Sequence, residues 1–86
     1  MDKLSIETRN VDGLRDNLKR AKNFLLLNQS NSDIFLLQET HSTPLDEIAW
    51  SREWGGEIKF SHGTSKSRGV AILIKKMVTP SIQVRD

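Results

Sequence analysis

Ile34-Phe35-Leu36-Leu37-Gln38-Glu39-Thr40 is the stretch whose reading decides the fold. It is almost wholly apolar until it reaches its polar end, and Asn31, Ser32 and Asp33 make a turn just before it. A short apolar run behind such a turn reads as a strand buried on both faces. Upstream, Leu4, Ile6, Thr8 and Asn10 alternate with Ser5, Glu7, Arg9 and Val11. That period of two predicts a strand to about Asn10, broken by Gly13. Between the two strands, Leu14, Leu18, Ala21 and Leu25 recur at helical spacing. They predict a helix over 14–29 with this stripe toward the core. Arg15, Lys19, Arg20 and Lys22 lie off the stripe and are expected on a solvated outer face. Strand, helix and strand in this order suggest two parallel neighbours joined by a right-handed crossover, with their carboxyl ends on one edge. Open α/β sheets place their ligands at that edge.

Farther along, Thr43 and Pro44 look like a helix start, with Thr43 as N-cap and Pro44 in the first turn. Asp46 and Glu47 suit the positive end of that helix dipole. Trp50 and Trp54, four apart, share a face and are expected to pack the helix, and Gly55-Gly56 ends it. Glu57 to Ser61 reads as a strand and 62–68 as a polar loop. Gly69 to Lys75 is the strongest strand candidate, with Val70, Ile72 and Ile74 on one face, and Thr79 to Arg85 is a further candidate weakened by Pro80. His41 and His62 read as surface loop histidines. The mixed order points to an α/β layered fold.

The bulk properties set wide bounds. The chain of 86 residues suffices for one small domain. Thirteen basic residues against eleven acidic ones give a net charge of +2, which permits a nucleic-acid partner without demanding one. There is no cysteine, so neither a disulfide nor a thiolate metal site is available. No apolar run approaches the roughly 20 residues needed to cross a bilayer, and Met1 to Ser5 is not of signal-peptide type.

Two polar segments end predicted strands, Asn10-Val11-Asp12 and Gln38-Glu39-Thr40. Asp12 and Glu39 are hard oxygen donors and Asn10 offers an amide oxygen, a set suited to Mg²⁺, which keeps several waters and few protein carboxylates. Gly13 would admit a phosphate backbone, and Arg15 could contact a neighbouring phosphate. By spacing alone the pattern is equally an ordinary turn with a solvated Glu39.

Larger stretches carry more. Asn10-Val11-Asp12-Gly13-Leu14-Arg15 resembles the first motif of the endonuclease/exonuclease/phosphatase superfamily, and Ile34 to Thr40 resembles its second. The strand from Ser67 to Ile74 resembles the segment that follows. Gln38 to Thr43, Trp54-Gly55-Gly56 and Phe60 to Ser65 are similar to the apurinic-type endonuclease domain of LINE-like non-LTR retrotransposons. The resemblance implies a DNase I-like fold, a four-layer α/β sandwich with a mixed sheet and flanking helices, of which 1–86 would be the N-terminal part. It implies phosphodiester cleavage with Mg²⁺ or Mn²⁺. Glu39 would be the metal-ligating carboxylate, Asp12 an organiser of metal and nucleophile, and Asn10 the residue that orients them. Arg15, Lys66 and Arg68 would touch the DNA backbone.

The later family motifs are a tyrosine, an Asp-x-Asn pair and a terminal Asp-His pair. The chain contains no tyrosine, and neither the Asp-x-Asn nor the Asp-His pair occurs in it. The expectation is therefore part of a retroelement-type DNA endonuclease, with little or no activity in isolation, intracellular, and nuclear if it belongs to a retroelement protein. Self-association through a sheet face left uncovered is a corollary. A non-enzymatic nucleic-acid-binding or remnant fragment, or a DNA-repair apurinic endonuclease, are the alternatives.

Overall fold

In the computed structural model, residues 4–64 and 68–75 are described. The elements run β1 (Ile6–Asn10), α1 (Asn17–Gln29), β2 (Ile34–Gln38), a 3-10 turn (Pro44–Asp46), α2 (Glu47–Trp54), β3 (Glu57–Ser61) and β4 (Val70–Ile74). The predicted strand over Thr79 to Arg85 lies outside the described residues. No helix among those residues is long and apolar enough to cross a membrane.

The sheet order is β1-β2-β4-β3. β1 pairs parallel with β2, while β4 runs antiparallel to both β2 and β3. Parallel strands need a long connection, and α1 provides it. In register, Glu7, Phe35, Leu73 and Ile58 form one row across the sheet, and Arg9, Leu37, Ala71 and Phe60 form the next. Phe35, Leu37, Ala71 and Leu73 are buried in one cluster with Phe24 and Leu27 of α1 and Trp50 and Trp54 of α2. Trp54 sits edge-on to Phe24 at 5.5 Å and to Phe35 at 6.0 Å between ring centres. Its indole N–H donates to the Ile74 carbonyl at 2.9 Å, so the polar end of a buried aromatic is satisfied. The pair of tryptophans thus packs the core, as their spacing predicts.

The opposite face is barely covered. Ile6, Val70 and Ile72 are exposed there, and Ile34, Leu36 and Ile74 are half-buried. The expectation that β2 is buried on both faces therefore holds for one face only. Val70, Ile72 and Ile74 do share a face, but Ala71 and Leu73 are the buried residues of β4.

The helix needs a larger correction. α1 begins at Asn17, three residues later than the apolar spacing suggests, because Asp16 caps it by accepting from the Lys19 N–H at 2.8 Å. Leu14 is buried but precedes the helix, and Leu18, Ala21 and Leu25 are exposed. The buried stripe is Arg20, Phe24 and Leu27. Arg20 is no solvated cation. Its guanidinium donates to Glu53 of α2, to the carbonyls of Leu14 and Arg15 and to Asn17, and it lies over the Trp50 ring at 5.1 Å. A buried charge that is paired and fully hydrogen-bonded is tolerated, and its presence rotates the helix away from the leucine stripe.

Glu7 and Arg9, the polar pair on the covered face of β1, bond to each other, and Glu7 also accepts from Ser30 at 3.0 Å. The Arg9 bond, followed by that from Ser30, holds the Glu7 carboxyl below the usual glutamate range.

Candidate functional site

β1 and β2 end together, at the pair Asn10 and Gln38. The chain segments that follow stay stitched by three backbone bonds: Val11 N–H to the Gln38 carbonyl at 2.9 Å, Gly13 to Glu39 at 2.6 Å and Leu14 to Thr40 at 3.0 Å. Both segments turn sharply. Asp12 has φ 50°, Gly13 86°, Glu39 58° and His41 58°. Positive φ at a non-glycine residue is uncommon and marks a backbone held by its surroundings.

That turn decides where Glu39 points. Continued strand alternation would send it to the helix-covered face, alongside Leu37. The left-handed backbone instead brings its carboxylate to the edge where Asn10 stands. Asn10 Nδ2 donates to Glu39 Oε2 at 2.7 Å, and Asn10 Oδ1 accepts from the Asp12 N–H at 3.0 Å. Asn10 therefore links the two segments, with its oxygen already committed to the Asp12 backbone. Glu39 Oε1 lies 3.6 Å from Arg68 Nη1. The Asp12 carboxylate is exposed and has no described bonding partner, and the Asp12 carbonyl accepts from Lys19 Nζ at 2.7 Å. Arg15 is exposed, outside α1, and lies 3.8 Å from Asp46. Lys66 lies outside the described residues.

Among the described residues, no three His, Cys, Asp or Glu side chains converge as a metal cage. A Mg²⁺-type ion does not require one, since a carboxylate or two with waters is a common arrangement. Glu39, partly exposed and held by Asn10 on one oxygen with Arg68 near the other, suits that role, and Asp12 carries a second exposed carboxylate on the adjoining segment.

Glycines shape the floor of this edge. A Cβ on Gly13 would meet the His41 ring at 3.0 Å, and one on Gly69 would meet Thr40 Oγ1 at 2.9 Å and backbone atoms of Gly63 and Ser61 just beyond. Behind Glu39 lies a cluster that sequence reading did not assemble. Thr40 Oγ1 and Ser42 Oγ are 3.1 Å apart, Ser42 Oγ is 2.8 Å from His62 Nδ1, and His62 Nε2 is 2.6 Å from Glu47 Oε2. The Phe60 ring stacks on His62 at 5.3 Å. Neither histidine is the surface residue expected. His62 is half-buried, and His41 Nε2 is buried without a hydrogen-bond partner among the described residues. The four members of this cluster come from segments up to 22 residues apart, numbered 40 to 62, so no local spacing reveals them.

Residues 8–86 match the Endonuclease/Exonuclease/phosphatase family. The chain belongs to that family. It is also 37% identical over 79 residues to the "Transposon TX1 uncharacterized 149 kDa protein" of Xenopus laevis, a match covering 92% of this chain and 6% of that protein. No solved structure matches. The mixed four-stranded sheet with two helices on one face corresponds to part of the α/β DNase I-like fold of the endonuclease/exonuclease/phosphatase family.

Proposed function

We propose that the chain supplies the Glu39-bearing edge of a divalent-metal-dependent DNA endonuclease of transposon type. The observation that carries this reading is the 2.7 Å bond from Asn10 to Glu39, made across the carboxyl ends of two parallel strands. It orients one carboxylate outward at the place where such sheets bind ligands. Membership of the family and the similarity to a transposon protein of Xenopus laevis support the assignment to phosphodiester chemistry and to DNA.

In this reading Glu39 is the ligand for Mg²⁺ or Mn²⁺, with Asp12 beside it. The ion, when bound, polarises a phosphoryl oxygen and stabilises charge on the leaving oxygen. Asn10 keeps Glu39 in one orientation and ties it to the Asp12 backbone. Arg15, Lys66 and Arg68 contact backbone phosphates, Arg68 from the Glu39 side. A transposon-type enzyme of this kind would act in the nucleus. The tyrosine, Asp-x-Asn and Asp-His motifs expected of the family do not occur in this sequence, so the isolated chain should turn over very slowly, since losing part of a cooperative constellation costs orders of magnitude.

A Mn²⁺ titration followed by paramagnetic broadening of amide signals tests the metal end. Broadening centred on Asn10, Asp12 and Glu39 that disappears in Glu39→Ala is expected. Broadening that is indifferent to Glu39→Ala would remove the proposal. Supercoiled plasmid with Mg²⁺ tests the second part: negligible nicking is expected, and robust nicking abolished by Glu39→Ala would show the chain to be catalytically sufficient.

A further inference from the structure

We infer that His62 is a positioning residue for Glu39, acting through Ser42 and Thr40; this rests on the metal reading of Glu39 given above. The direction of each hydrogen bond follows from the chemistry of the partners. The Glu47 carboxylate only accepts, so a neutral His62 carries its proton on Nε2 and donates to Glu47 Oε2 at 2.6 Å. Its Nδ1 is then an acceptor, and the Ser42 hydroxyl donates to it at 2.8 Å. That leaves Ser42 Oγ to accept from the Thr40 hydroxyl at 3.1 Å. A single chain of donors thus runs from buried Thr40 to Glu47 at the start of α2, with Ser42 also buried.

The chain ends next to the strained residues. Thr40 stands between Glu39 and His41, both at φ 58°. Its Oγ1 fills the space left by the missing Cβ of Gly69, its N–H bonds the Gly69 carbonyl at 3.3 Å, and the His41 N–H bonds the Arg68 carbonyl at 2.8 Å. The relay therefore fixes the turn that points Glu39 at Asn10 and, through the same backbone, the segment that carries Arg68. Phe60, packed against the core and stacked on the imidazole, fixes the ring plane. The relay is structural in character, because Ser42 is 5% exposed and its oxygen is already engaged on both sides, by Thr40 and by His62.

Hydrogen exchange and Mn²⁺ affinity, measured on the whole chain, test the role together. In His62→Ala the amides of Gly13, Leu14 and His41 should exchange at least about tenfold faster, while those of Phe24 and Leu27 in α1 stay as in the wild type. Mn²⁺ affinity should fall by about 10-fold, the lower end of what losing a group bonded directly to a ligand costs, because His62 acts on Glu39 through Ser42 and Thr40. His62→Asn, which keeps an acceptor near the place of Nδ1, should recover most of both losses. Glu47→Ala breaks the relay from its exposed end without opening a core cavity and should shift both readouts in the same direction. Unchanged exchange at the three site amides would overturn the inference, as would Mn²⁺ affinity lost in Glu39→Ala but kept in His62→Ala. Affinity kept in both variants would instead remove the metal reading itself, and the role of His62 with it.

Discussion

At the residue scale, three glycines occupy the same left-handed region with different surroundings. Gly55 has φ 83° and nothing within 4 Å of an added Cβ, Gly13 has φ 86° and faces the His41 ring, and Gly69 has φ 84° and is hemmed in by Thr40 and by backbone. A left-handed conformation costs an L-residue roughly 1–2 kcal/mol. Gly55→Ala should lose only about that amount. Gly13→Ala should lose more, because a ring must shift, and Gly69→Ala most, on the order of 3 kcal/mol, because backbone cannot yield cheaply. Urea denaturation of the three variants gives the ranking, and an equal loss at all three would show that the contacts are unimportant.

The two helices are locked at the element scale by Arg20 and Glu53, whose side chains are 6% and 43% exposed. Arg20→Ala should destabilise by about 2–4 kcal/mol, since it breaks a buried, multiply bonded group. Glu53→Ala should cost less, because water can reach the vacated side. Leu25→Ala should be almost silent, within about 0.5 kcal/mol, whereas Phe24→Ala should lose about 3–5 kcal/mol. Thermal unfolding compares the neighbours directly, and a costly Leu25→Ala would restore the leucine stripe as the core face.

The same helix marks the limit of what sequence alone conveys. Strand alternation, the apolar β2 and the Thr43-Pro44 helix start were all legible because each is a local pattern with a physical cause. The phase of α1 was not. Phe24 to Leu27 are all apolar, and two stripes compete on such a helix. What separates them is an arginine whose partner lies 33 residues away, and a charged residue reads as solvated until its partner is known. Asn10, Asp12 and Glu39 could be proposed from their strand ends, but the left-handed turn that sends Glu39 toward Asn10 has no signature in Gln-Glu-Thr. Ser42, His62 and Glu47 meet only after β3 and α2 have been placed.

On the scale of the whole molecule, one sheet face is covered by helices and the other presents Ile6, Val70 and Ile72 at 66%, 39% and 40% exposure. Contiguous apolar surface of this kind favours association. We expect concentration-dependent self-association in sedimentation velocity and binding of a hydrophobic dye, both reduced in Ile72→Lys. A strictly monomeric, dye-silent wild type would show that the face is tolerated in water.

The three backbone bonds that stitch residues 11–14 to 38–40 have a thermodynamic consequence. Loops that close around a ligand surrender their conformational freedom at the moment of binding, and affinity is reduced accordingly. Here that freedom has already been given up during folding. An ion or a phosphate arriving at this edge should bind with little ordering entropy to overcome and with almost no change in heat capacity, and its affinity should depend on charge and hydration far more than on any rearrangement of the chain.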